Sequence, residues 1–437
     1  MDRIAPETFA SRRRRILDSL PQGAALLLPT GGELIRSADT HYPFRPDSDF
    51  YYTTGFPEPD AWALLRKTSE GPEFVLFVNP KDPERETWTG VRAGVEGATG
   101  RYGADEAFST ADLEAKLGPL LEPVENLYFA FGRHDAEEPR LNTLLARLRK
   151  GRKAALGPVS LSDPGALLSE MRLRKTPGEI AVHRRGAAIT DEAHRLAMTQ
   201  VRPGMHEYEI QALVEYTFRR RGAWGWAYPS IVGGGNNACV LHYVENAAPL
   251  RDGDLMLIDA GAEVDGYATD VTRTSPVNGR FSGAQRELYG VVLEAQTAAC
   301  EATVAGATID DIHALAVRIL TQGMIDHGLI EGPLDDAIEE KRFSKYYMHK
   351  TSHWLGLDVH DVGRYQLPDG PPRPLEPGMI ITVEPGIYVP ADAEDAPEQY
   401  RGIGIRIEDD ILVTEDGNEN LTAATPKTIA DIEALRA

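Results

Sequence analysis

The chain has 437 residues, 42% of them apolar, which is enough for a large core and long enough for two domains. A net charge of −21 argues against a nucleic-acid binder, because neutralising phosphates needs a basic face. Only Cys239 and Cys300 occur, which excludes a disulfide framework or a zinc knuckle and points to a reducing compartment, the cytoplasm.

In chain order, Arg12 to Arg15 read as the wet face of a first helix. The apolar run from Ala24 to Leu28 is too short for a signal peptide and is ended by Pro29, and no other segment approaches membrane-spanning length. Strand-like runs at 24–29, 61–65, 74–78 and 127–132 alternate with helical runs near 111–121 and 138–150. Residues 1–172 therefore read as a mixed α/β domain. Thr176, Pro177 and Glu179 then give an N-cap, a proline at the first helical position and a capping-box acid, so a second domain covers 173–437. His183, His194 and His206 fall on helix faces read as exposed and are given no role.

Residues 255–274 hold two aspartates that the pattern brings together. Leu255 to Ile258 is apolar on both faces, as in a buried strand, and Gly261 and Gly266 bracket a turn before a second strand containing Val271. Asp259 and Asp270 then sit side by side on a buried hairpin, where unpaired carboxylates would be costly. The bland alternative is two surface turn aspartates. A second copy of the unit weighs against it: GDLMLIDAG (253–261) aligns without a gap on GMIITVEPG (378–386), placing Glu384 where Asp259 stands. Upstream, GMHEYEIQAL (204–213) matches GATIDDIHAL (306–315), each a capped helix start. The duplication makes the C-terminal domain helices over a curved, duplicated sheet, and it predicts a partner for Asp270, which Glu408 in RGIGIRIEDDILVT supplies. Four converging carboxylates call for two divalent cations of the Mg, Mn, Co or Zn class.

Between the repeat halves, MHKTSHWLGLDVHD carries His349, His353 and His360, a density that suggests one metal ligand and others serving a reaction. The duplication places His242 roughly opposite His360; a strand-end structural histidine is the competing reading. Gly233 to Gly235 lacks both Rossmann spacing and a phosphate-loop lysine and reads as a tight turn. With no HExxH helix and no GxSxG elbow, a two-metal hydrolase is the remaining reading.

The stretches RSADTHYPFRPDSDFYYTTGF (36–56), SHWLGLDVHDVG and QYRGIGIRIEDD extend over nearly the whole chain, and with them the chain resembles the pita-bread metallopeptidases, within these the proline-specific aminopeptidases of the aminopeptidase P type. The resemblance implies a C-terminal pita-bread domain behind a smaller α/β domain, and cleavage of the bond between any N-terminal residue and a following proline. It implies that Asp259 chelates one metal, that Asp270 and Glu408 bridge both, and that His353 and Glu384 complete the second, with Mn2+ most frequent and Zn2+ or Co2+ as alternatives. Glu384 would also shuttle the proton, His242 and His360 would hold substrate and the tetrahedral intermediate, and His349, Tyr388 and Arg406 would wall the proline pocket. Lys350 departs from the glycine that many relatives carry after the first histidine, which leaves the ligands intact and changes local pocket shape and charge. Such enzymes commonly assemble as dimers or tetramers, so Trp88 in the N-terminal domain either serves a neighbour's site or belongs to its own local core. A prolidase shares all five ligands; creatinase-type hydrolases and non-catalytic pita-bread modules lack such a set. Peptides with proline second are the implied partners, with no nucleic acid and no membrane.

Overall fold

A run of six buried residues, Ala24–Pro29, is apolar on both faces and so needs cover from both sides. In the computed structural model, which describes residues 4–150 and 157–436, this strand lies inside a six-stranded sheet. It pairs antiparallel with Trp62–Thr68 and parallel with Asn126–Tyr128. Helices Leu113–Leu121 and Glu138–Arg149 cover it through Leu117, Leu121, Leu141 and Leu144. The fourth expected strand is shorter than its apolar run, because the chain leaves the sheet after Tyr128. The described chain divides into two compact units between Met171 and Arg172.

The arginine run is only half wet. Arg14 and Arg15 are exposed, whereas Arg12 and Arg13 are buried. The reason is the helix Ser48–Thr54, whose last carbonyls need donors. Arg12 Nη1 donates to Tyr52 O at 3.1 Å and stacks 4.1 Å over the Tyr52 ring, and Arg13 Nη1 donates to Thr53 O at 3.2 Å.

In the second unit, Thr176 and Glu179 form the expected capping box of the 24-residue helix Pro177–Gln200. His183 and His194, read from sequence as exposed, are buried along it, and His206, read likewise, is half-buried at the cap of the next helix. His183 and His194 share a face with Gly186, Thr190 and Ala197 that packs on the strands Ala262–Val264 and Tyr267–Ala268. The approach is close: a Cβ at Gly186 would stand 2.3 Å from Thr269 Oγ1. His194 Nε2 meets the Ala260 carbonyl at 2.9 Å, and the His183 ring packs edge-on to Tyr267.

The duplication is visible in the backbone. His206 and Thr308 both cap helices with an acid three residues on, and both make isolated bridges to a proline, Pro249 and Pro374. Gly253 and Gly378 share a left-handed conformation, φ +87° and +89°, ahead of the strands Leu255–Asp259 and Ile380–Val383. Those strands pair antiparallel with Thr272–Pro276 and Asp409–Thr414. The first hairpin turns at Asp265 and Gly266, both with positive φ, while Gly261 lies where the chain passes so near Thr269 that a Cβ would meet its carbonyl oxygen at 1.6 Å. Gly233 to Gly235 is no isolated turn; it carries the strand Ile231–Gly234 into a 3-10 turn, and His242 lies in the loop beyond rather than at a strand end. Helices Gly283–Ala302 and Ile309–Asp326 cover the sheets through Leu288, Val292, Leu320, Ile387 and Ile405.

Burial lowers His183 to about 3 and His194 to about 4 from the ordinary 6.5, so both imidazoles are neutral in the folded chain. The unfolded chain binds these protons first, so their contribution to stability is complete above about pH 6.5 and is lost as the pH falls toward 4. In the presence of a chelator, the melting temperature should drop across that window, and His194→Gln, which keeps a donor for Ala260 and cannot titrate, should flatten the slope. An identical slope in the variant would show that His194 takes no part.

Candidate metal centre and substrate cavity

Each hairpin delivers an acid at a strand end and a second acid where its partner strand begins. Asp259 closes Leu255–Asp259, and Glu384 directly follows Ile380–Val383. Asp270 precedes Thr272–Pro276, and Glu408 occupies the break between Ile403–Arg406 and Asp409–Thr414. All four line one cavity of about 520 Å³, together with His242, His349, His353, His360 and Arg406. Tyr388 stands behind that wall, fully buried. Leu241, Val244 and Val359 supply an apolar rim, and Lys350 lines the cavity as an exposed cation.

Asp270, His353 and Glu408 each turn a ligand atom to within 4.8 Å of the others. His353 Nε2 is 3.3 Å from Asp270 Oδ2 and 3.6 Å from Glu384 Oε1. Its Nδ1 meets the Trp354 carbonyl at 3.0 Å; with the proton there, Nε2 turns a lone pair toward two carboxylates. That arrangement is repulsive unless a cation or a proton lies between them. Asp259 is held apart from the trio, with Oδ1 accepting from Tyr228 at 2.6 Å and Oδ2 from Arg406 at 2.6 Å.

Arg406 organises the rest. Its Nε donates to Thr272 Oγ1 at 3.1 Å, and Thr272 donates in turn to Glu408 Oε2 at 2.6 Å. Its Nη1 donates to Tyr388 Oη at 3.1 Å, which lies 2.8 Å from His349 Nε2, while His349 Nδ1 meets the Lys350 carbonyl at 2.8 Å. Burial, helped by the Arg406 charge, lowers His349 to about 3 and keeps this ring neutral.

Burial pushes the Glu408 carboxyl well above its usual range, with the charges of Asp270, Glu384 and Asp259 adding to it. Asp259 is raised by burial against the pull of Arg406, and Glu384 reaches about 8 by burial against His353 and Arg406. Burial disfavours the His353 imidazolium, yet its hydrogen bond to Asp270 and the charges of Glu384 and Asp270 outweigh this and raise it to about 9. Three buried carboxylates, the half-buried Glu384 and one imidazole form a donor set that fits hard to borderline divalent cations.

Sequence reasoning missed Tyr228, Thr272 and Asp410, whose carboxylate accepts from the Asp270 amide at 3.2 Å. Thr272 was within reach of the pattern, being two residues beyond Asp270 and so on the same face of an extended chain. Nothing in WAYPS marks Tyr228.

A duplicated hairpin sheet that turns such a donor set into one cavity defines the pita-bread metallopeptidases, as the resemblance of the motifs implied. The chain belongs to metallopeptidase family M24, whose model matches residues 181–415, and the model of the aminopeptidase P N-terminal domain matches residues 9–128. It is 45% identical to the Xaa-Pro aminopeptidase of Escherichia coli K12 over 437 residues, covering 100% of this chain and 98% of that one. To human Xaa-Pro aminopeptidase 3 it is 36% identical over 404 residues, 91% of this chain and 78% of the relative. The structure of Pseudomonas aeruginosa aminopeptidase PepP superposes with a TM-score of 0.97 at 45% identity, covering 100% of this chain and 98% of that one. Zn-substituted E. coli aminopeptidase P in complex with product gives 0.96 at 45% identity, covering 99% and 98%.

With Glu384 at about 8 and His353 at about 9, cation binding must displace protons, and affinity should rise with pH through that range. Calorimetric titration with Mn2+ in two buffers of different ionisation enthalpy should show release of about one to two protons at pH 7. A pH-independent affinity without proton release would place the cation elsewhere.

Proposed function

We infer that the chain is a metalloaminopeptidase that hydrolyses the bond between an N-terminal residue and a following proline. The observation that carries this is the full-length 45% identity to an Xaa-Pro aminopeptidase, joined to one cavity lined by all five expected ligands and both expected histidines. The full-length relatives are Xaa-Pro aminopeptidases, so the prolidase alternative is not favoured.

The ligand roles we propose are Asp259 for one cation, Asp270 and Glu408 between both, and His353 with Glu384 for the other, Mn2+ being our choice of metal over Zn2+ and Co2+. When bound, such a pair compensates the four carboxylates, polarises the scissile carbonyl and lowers the pKa of water. Glu384, its proton displaced by cation binding, would take the proton of the attacking water and return it to the departing nitrogen. That return is essential for this substrate, since an Xaa-Pro bond is a tertiary amide without N–H and its amine leaves only when protonated. His242 and His360, both on the cavity wall, donate to the carbonyl oxygen as it gains charge. His349, held neutral between Tyr388 and Lys350 O, offers an uncharged ring as the wall for proline, with Tyr388 and Arg406 fixing it.

We place the domain boundary at 172/173 and the enzyme in the cytoplasm as a homo-oligomer. Free Cys239 and Cys300 support a reducing compartment, and among the described residues no helix is long and apolar enough to cross a membrane. Trp88 and Val91 support assembly: at 85% and 88% exposure they do not belong to a local core.

With Mn2+ added, the protein should cleave Xaa-Pro-Yaa and leave Xaa-Ala-Yaa intact; equal cleavage of both would sink the specificity. Asp270→Ala and Glu408→Ala should each release metal and abolish turnover, whereas Glu384→Gln should retain metal in part and lose the rate. Full activity with unchanged metal in either alanine variant would remove the two-cation reading. For His242→Ala and His360→Ala, kcat should fall by about 10²-fold or more with metal content unchanged. A folded, metal-free histidine variant would mean that ligands and donors were assigned the wrong way round.

A further inference from the structure

Among the described residues the His360 ring makes no hydrogen bond; its one ring contact is with His353, the imidazole centroids 4.4 Å apart. Its aim is therefore set by the backbone on which it stands. The next residue, Asp361, does not line the cavity; its side chain is 1% exposed, with Oδ1 at 2.5 Å from Arg172 Nη2 and Oδ2 at 3.4 Å from Lys175 Nζ. The same Arg172 nitrogen reaches Asp358 Oδ2 at 2.7 Å.

The segment between the two histidines is closed upon itself. The Asp361 amide donates to Trp354 O at 2.9 Å, and the Gly356 amide to Asp358 O at 3.1 Å. Gly356 is required because the carboxylate lies on it: a Cβ there would stand 1.9 Å from Asp361 Oδ2. The residues that bring the cations also grip the turn ahead of Glu384, through Lys175 N to Gly378 O at 2.8 Å and Arg174 to Glu376 at 2.7 Å. A buried carboxylate between two buried cations holds a narrow range of positions, because losing either contact strands a charge away from water.

We propose that Asp361, clamped by Arg172 and Lys175, is the positioning residue that aims His360 at the substrate. The clamp acts through His360 alone, and so rests on the role given to that histidine above. A double-mutant cycle separates aim from general support. Asp361→Asn keeps the shape on Gly356 and weakens the hold of both cations. In the full-length Mn2+-loaded protein it should lower kcat by roughly 10- to 100-fold, as loss of an orienting partner does, with KM and metal content nearly unchanged. In a His360→Ala background the same change should cost nothing further. Hydrogen exchange of the amides in 354–361 should quicken in Asp361→Asn. An equal loss in both backgrounds, or no loss in the first, overturns the clamp. If His360→Ala itself leaves kcat untouched, the role of His360 fails and the clamp with it. Should Asp361→Asn not fold, Arg172→Lys keeps the charge on a shorter side chain that weakens the reach to Asp358 and Asp361, and runs the same cycle with the same outcomes.

Discussion

Four carboxylates lining one cavity, three of them buried and Glu384 half-buried, dominate the electrostatics of this molecule. Each raises the cost of ionising the others, and two buried cationic groups, Arg406 and a protonated His353, offset only part of that charge. A chain keeps such a cluster only where a ligand supplies the missing charge, which is why this donor set fits divalent cations. The fold is the means of holding like charges together: two rigid hairpins under capped helices, each delivering two acids from strand ends that cannot relax away from one another.

Arg406 keeps this cluster from being four independent ligands. One guanidinium touches Asp259 directly, Glu408 through Thr272, and His349 through Tyr388. A planar fork with five donors can do this where a lysine, a single point charge, cannot. The neutral His349 ring, set first by burial and then by the Arg406 charge, and the hydrogen bonds of Asp259 and Glu408 thus meet at one buried cation, which would link the proposed proline wall to the proposed metal ligands.

Much of this was legible in the chain because the information was periodic. An acid at the end of an apolar strand is ambiguous once; repeated at a fixed offset with matching glycines and matching helix caps, it names Asp259 and Glu384 together. What could not be read were contacts made across elements. Arg12 and Arg13 look like their neighbours Arg14 and Arg15 until a second helix brings its unpaired carbonyls to them. His183 and His194 look like polar surface until Gly186 lets the helix approach Thr269 so closely that the whole face is sealed. Tyr228 has no local pattern, since its role is a single hydrogen bond to a residue 31 positions away.

The duplication is also incomplete where it matters for chemistry. Trp354 bridges Ile381 on the outer side of the second hairpin, as Gly234 pairs with Met256 on the first, so the residue in the first half that corresponds to His353 is Gly233. No imidazole can be built there, because a Cβ at Gly233 would already stand 2.9 Å from the Asn237 backbone. With the ligands divided as proposed, one position is all oxygen and the other contains nitrogen. By ligand softness the first favours the harder ion and the second one of more borderline character. The two halves of a nearly symmetric scaffold thus offer unequal donors, so the two positions we propose would differ in affinity and in choice of metal.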